Sequence, residues 1–188
     1  MKQKNLTLLI CYKIVFFTIF VFYLTMPTLS AQDQLNERIP IPEVGNQAPD
    51  FSLLDFEEKN FMLSEFKGNK AVLLWFTNLC QGCLAKISEI EKIKNLYEKK
   101  SIEVVAVSVL GKDRGTVEDV IRKKRISFKF LYDPNGKVAE LFSGKEYHGV
   151  CPLTNIFIIG KDGKIVYTGR YPGTDEAEII SQLNGASR

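Results

Sequence analysis

Four residues near the middle of the chain, Cys80-Gln81-Gly82-Cys83, have the spacing at which two thiols become partners. At the start of a helix that spacing sets the second sulfur about one turn beyond the first, close enough to form and break a disulfide. Unpaired backbone N–H groups and the positive end of the helix dipole then favour a thiolate on the first cysteine. Cys80 is therefore expected to be the nucleophile and Cys83 the residue that resolves its mixed disulfides. A bare Cys-x-x-Cys is also half of a zinc site or a pair of core cysteines, so the surroundings must decide.

Two more cysteines complete the set of four. Cys11 lies in an apolar N-terminal stretch, which leaves an odd three for the rest of the chain and argues against a stapled scaffold. Cys151 directly precedes Pro152, and His148-Gly149-Val150-Cys151 repeats the two-residue spacing. Cys80, Cys83, His148 and Cys151 thus make an alternative metal set with zinc-ligand spacing, and soft thiolates also suit Cu(I). The plainer alternatives are a small buried residue for Cys151 and a surface loop for His148. If the redox pair is the function, no metal and no organic cofactor is expected, because the sulfurs carry the electrons.

The elements that must position these sulfurs can be read from periodicity. Ala71–Phe76 is a continuous apolar run, as in a strand buried on both faces. Leu84, Ile87, Ile90, Ile93 and Tyr97 recur at spacings of three or four, which predicts a helix over 80–99 with Asn78 as its N-cap. A second buried strand is expected over 102–109, a helix over 116–125, a short strand over 128–132 and a short helix over 138–142. Strands at 156–159 and 164–169 flank Gly160-Lys161-Asp162-Gly163, a hairpin turn, and a helix over 175–183 follows. Ahead of all these, 51–54 and 60–63 flank an acidic turn as a β-hairpin. This order predicts an α/β fold with a mixed central sheet, helices on both faces and an N-terminal β-hairpin.

Residues 45 to about 185 resemble the TlpA/ResA-type thiol–disulfide oxidoreductases of the thioredoxin-like (redoxin, AhpC/TSA) superfamily. The resemblance rests on Gly45-x-x-Ala48-Pro49-Asp50-Phe51-x-Leu53, on Leu63-Ser64-Glu65-Phe66-Lys67-Gly68-Asn69, on the strand followed by Cys-x-x-Cys, and on Cys151-Pro152 ahead of Ile156–Ile165. It implies a thioredoxin-like fold and a periplasmic or membrane-anchored enzyme. Such an enzyme exchanges a Cys80–Cys83 disulfide with protein thiols, in some members during cytochrome c maturation, and draws on an upstream membrane electron donor. It further implies a cis-proline that binds the substrate chain, a role that falls on Pro152 beside Cys151, or on Thr154 if the loop has no insertion. The sequence departs from the family at Leu79, where Trp is usual, and at Gln81-Gly82, where Pro is frequent. Lys86 stands where Glu is common, placing near the thiols a cation that would favour thiolate. Thr77-Asn78-Leu79-Cys80 also fits the Thr-x-x-Cys of peroxiredoxins, which keeps a Cys80 peroxidase open as a further alternative.

Composition narrows the partners. The chain has 25 Lys and Arg against 22 Asp and Glu, and Lys2, Lys4 and Lys13 fall in a first stretch of 31 residues without acid. What remains is neutral, so nucleic acid is not expected as a partner. The cluster Arg122, Lys123, Lys124 and Arg125 reads as a solvated helix end. Lys2 and Lys4 precede the largely apolar Leu6–Thr25 and the small-residue stretch to Ala31, so 1–31 is expected to be a signal peptide or membrane anchor. The polar residues 32–44 would be a linker, and 45–188 the domain.

Overall fold

The computed structural model describes residues 40–97, 99–111, 113–144 and 151–186. The leader, most of the expected linker and His148 lie outside the described residues. Among the described residues no helix is long and apolar enough to cross a membrane.

The element order is β1 (Ser52–Leu54), β2 (Asn60–Met62), a 3-10 turn (Leu63–Phe66), β3 (Ala71–Thr77), α1 (Gln81–Tyr97), β4 (Ile102–Ser108), α2 (Arg114–Lys124), β5 (Lys129–Tyr132), α3 (Lys137–Ser143), β6 (Ile156–Ile159), β7 (Ile165–Gly169) and α4 (Glu176–Ala186). The 3-10 turn is the one element that the periodicity did not predict. The five-stranded sheet runs β5-β4-β3-β6-β7. β3, β4 and β5 are parallel, and β6 and β7 pair antiparallel. All seven residues of β3 are buried, as expected of a strand covered on both faces.

Strand alternation divides β3 between two cores. Ala71, Leu73 and Trp75 face one, built with Ile87, Ile90, Ile93 and Tyr97 of α1, Val117 of α2, and Ile179 and Leu183 of α4. Val72, Leu74 and Phe76 face the other, built with Phe51 and Phe61 of the hairpin and Val138, Ala139 and Phe142 of α3. Helices thus lie on both faces, as the sequence predicts. Each fully buried Leu, Ile or Phe contributes about 1.5–3 kcal/mol of transfer free energy.

The ends of the elements follow local chemistry. Asp113 caps α2 by accepting the Thr116 N–H, and Arg125 closes that helix with φ +53 after the basic last turn. Residues 114 and 115, ahead of the helix start expected at 116, are already the first turn of α2. The Arg114 guanidinium stacks 5.0 Å over Phe56 and pairs with Glu58 at 2.6 Å and Glu118 at 2.7 Å. Ahead of the hairpin, the chain docks on the β6–β7 turn. The Gly45 N–H donates to the Ile165 carbonyl, the Ala48 N–H donates to the Gly163 carbonyl, and Gln47 bridges to Lys164.

Candidate active site

β3 ends at Thr77, and α1 begins four residues later. The connection Asn78-Leu79-Cys80 is tightly set. The buried Thr77 hydroxyl oxygen accepts the Leu79 N–H at 3.0 Å. Leu79 takes φ +56, a left-handed conformation that costs a branched side chain about 1–3 kcal/mol and marks an over-determined position. Asn78 Oδ1 accepts the Cys80 N–H at 3.0 Å. Asn78 is therefore not the N-cap that the sequence predicts. Cys80 holds that place, its carbonyl accepting the Leu84 N–H at 2.8 Å and its Sγ accepting the Cys83 N–H at 3.4 Å.

The two sulfurs of the motif lie 3.1 Å apart as free thiols, Cys80 exposed and Cys83 fully buried. That asymmetry is what an attacking and a resolving thiol need. Cys151 arrives from the loop before β6, its Sγ 3.7 Å from that of Cys83. Asn78 holds it on both sides: the Asn78 N–H donates to Cys151 Sγ at 3.0 Å, and Cys151 S–H donates to Asn78 Oδ1 at 2.8 Å. The three sulfurs all lie within 4.8 Å of one another.

Cys83 and Cys151 influence each other's ionisation. Contact with Cys151 pushes the Cys83 thiol up, and burial adds to this; hydrogen bonds with Thr77 and Cys80 oppose it. The same contact pulls the Cys151 thiol down, against its burial and with help from the Asn78 N–H. Asn78 Oδ1 works the other way, because it accepts the Cys151 proton and that bond is lost on ionisation. Of the pair, Cys151 ionises first. Lys86 does not serve the thiols as expected. Its Nζ is 2.7 Å from Glu89 Oε1, and Glu89 Oε2 also accepts the Tyr171 hydroxyl at 2.9 Å.

The cis-proline assignment also changes. Among the described residues the cis peptide bond is Tyr171–Pro172, not Cys151–Pro152. Pro152 is buried, whereas its neighbour Leu153 is 70% exposed. Pro172 borders the motif: a Cβ added at Gly82 would lie 3.2 Å from Pro172 Cγ and 4.0 Å from Cys80 Sγ. Asn155, buried at the start of β6, holds that loop in place. It accepts the Tyr171 N–H at 2.6 Å, and its Nδ2 donates to the carbonyls of Tyr171 at 2.7 Å and Phe76 at 3.2 Å. The sequence reading missed Asn155, Tyr171 and Pro172. A Tyr-Pro-Gly turn directly after a strand was the available signal.

Residues 44–168 match the AhpC/TSA family. The chain is 27% identical to thiol–disulfide oxidoreductase ResA of Bacillus thuringiensis subsp. konkukian, over 66% of this chain and 68% of that one. It is 31% identical to a Haemophilus influenzae protein provisionally named peroxiredoxin bcp, over 65% of this chain and 83% of that one. Its fold is similar to a Chlorobium tepidum protein provisionally named thiol:disulfide interchange protein DsbE. That match has a TM-score of 0.65 and 24% identity, and covers 78% of this chain and 99% of that one. With its thioredoxin-like fold and its paired thiols, the chain belongs to the AhpC/TSA family and is a thiol–disulfide oxidoreductase.

Proposed function

We propose that this protein reduces disulfides in other proteins outside the cytoplasm, with Cys80 as the attacking sulfur and Cys83 as the resolving one. The observation that carries the reading is the 3.1 Å approach of an exposed and a buried sulfur at the first turn of α1. The Cys80 thiolate attacks one sulfur of the substrate disulfide. The other substrate sulfur leaves as a thiolate and takes up a proton, and a mixed disulfide remains on Cys80. Cys83 then gives up its proton and attacks Cys80 Sγ, which frees the second substrate thiol and leaves Cys80–Cys83 oxidised. Two electrons pass to the substrate, and a dithiol donor must return them.

The reducing direction is supported by Cys83, whose thiol is pushed up by Cys151 and burial. A resolving thiol that keeps its proton gives the reduced form no thiolate stabilisation, which suits a donor, since strong oxidants are those whose reduced form is stabilised. Export is supported by the basic start and the apolar Leu6–Thr25. The substrates are protein cysteines, and the Cys-x-x-Cys-His pair of an unligated c-type cytochrome is a suitable one.

Titration of the full chain in dithiol buffers should give a two-electron Cys80–Cys83 transition between about −300 and −200 mV. Cys83→Ser should accumulate a mixed disulfide with a disulfide-bearing protein substrate, and Cys80→Ser should slow exchange on the order of a thousandfold or more. Absence of both the transition and the trapped species would sink the reading. The bcp relative gives a second reading, a peroxidase at Cys80. Thr77 speaks against it, since its hydroxyl is buried against Leu79 and Cys83 rather than presented to a peroxide. Rapid consumption of hydrogen peroxide by the Cys83→Ser variant would reverse that ranking.

A further inference from the structure

We infer that Cys80, Cys83 and Cys151 together form a three-thiolate site for a soft monovalent metal ion, Cu(I), in the reduced protein. The disulfide chemistry above uses two sulfurs, so the third needs its own account. The obvious one is an internal relay in which Cys151 attacks Cys83 of the disulfide and expels Cys80. Displacement at sulfur needs the attacking, central and leaving atoms near a straight line. The sides Cys80–Cys83 and Cys83–Cys151 measure 3.1 and 3.7 Å, and the third is no longer than 4.8 Å. The angle at Cys83 Sγ is therefore no more than about a right angle. No sulfur of this triangle lies in line with the other two, so the arrangement is poor for a relay.

It is good for a metal. Metal–thiolate bonds of about 2.3 Å put the sulfurs of a trigonal site roughly 4 Å apart. The Cys83–Cys151 edge is already close to that. The Cys80–Cys83 edge must open by less than about 1 Å, and Cys80 is the exposed, movable member. Among the described residues no carboxylate or imidazole joins the group. Structural Zn(II) takes four ligands, whereas a set of three thiolates suits Cu(I), one of the soft ions that thiolates select. The outer shell fits as well: Cys80 Sγ accepts the Cys83 N–H and Cys151 Sγ accepts the Asn78 N–H. Such donors, with the N-terminal end of α1, offset the excess negative charge of three thiolates on a monovalent ion. Exposed Cys80 gives the entry path. Binding moves protons and no electrons: the thiols release theirs as the Cu–S bonds form. Oxidation of Cys80 and Cys83 by a disulfide oxidant removes two ligands, so the site exists only in the dithiol state.

The test is an anaerobic titration of the reduced full chain with Cu(I) against a chromogenic Cu(I) chelator, with X-ray absorption to count ligands. The expected result is one Cu(I) per chain with three sulfurs around it, no uptake after oxidation with glutathione disulfide, and binding at least about 100-fold weaker in Cys151→Ser. Should Cys151→Ser fail to fold, the sulfur count on the unaltered protein decides alone. Two sulfurs only, affinity unchanged in a folded Cys151→Ser, or tighter binding of Zn(II) with a nitrogen or oxygen ligand would each overturn the inference. None of these touches the Cys80–Cys83 redox transition, so the oxidoreductase reading stands or falls separately.

Discussion

The two faces of the central sheet are built from different material. On the hairpin side, packing is almost wholly aromatic and aliphatic: Phe142 meets Phe51, Phe76 and Phe157 at centroid distances of 5.9, 5.3 and 5.1 Å. On the other side, which carries the sulfurs, the core is threaded with polar groups. The Tyr97 hydroxyl donates to Asn184 at 2.8 Å, Tyr171 bonds Glu89, and Asn155 ties β6 to the Tyr171–Pro172 loop. Dispersion and burial have no preferred direction, whereas hydrogen bonds fix direction. One face supplies stability, and the other places atoms.

Substitutions can break that division. The largest effect on folding should come from Phe142→Ala, which removes a fully buried ring and costs about 3–5 kcal/mol in urea unfolding. The rate of Cys80 alkylation in the folded fraction should stay as it was; a large change there would mean that the faces are not separate. Asn155→Ala comes next. It leaves the Tyr171 N–H and two buried carbonyls without their partner and should cost about 2–3 kcal/mol. Because Pro172 borders Gly82, this variant should also alter disulfide exchange with a protein substrate more than Phe142→Ala does, despite the smaller loss of stability.

The smallest effect belongs to Glu89. Burial alone would raise its carboxyl, but bonds to Lys86 and Tyr171 outweigh that and hold it below its ordinary value of 4.5. A depressed carboxylate contributes stability above its unfolded value, and the contribution is lost as pH falls through the lower folded one. Unfolding measured downward from about pH 5 should therefore lose a component that Glu89→Gln lacks. At neutral pH that substitution should cost no more than about 1 kcal/mol, since the group is part-exposed.

Much of this was legible in the sequence because it depends on local period. The seven buried residues of β3 and the α1 stripe of Ile87, Ile90, Ile93 and Tyr97 stand where apolar spacing put them, with Leu84 half-buried at the rim. The Cys80–Cys83 pair is local in the same sense. What could not be read depends on which distant segments meet. The type and place of Asn78 predict a cap, yet its side chain partners Cys151, 73 residues away. Lys86 is one turn from Cys83, but Glu89 one further turn on is the nearer charge. The resemblance puts the cis proline at Pro152, whereas the cis bond among the described residues is Tyr171–Pro172. The loop after β7 also borders the motif, because Asn155 binds it to the end of β3.

The docking of residues 45–48 has a mechanical side. The β3–β6 register sets Ile159 opposite Val72, so the β6–β7 turn lies at the far end of the sheet from Thr77 and the sulfurs. A seven-residue strand separates the two ends by roughly 20 Å. Tension applied to the chain ahead of Gly45 is therefore carried by the Gly45–Ile165 and Ala48–Gly163 hydrogen bonds and passes into the hairpin edge. The load path stops short of Cys80, so a pull at Gly45 is borne by the hairpin end of the sheet and leaves the reactive end unloaded.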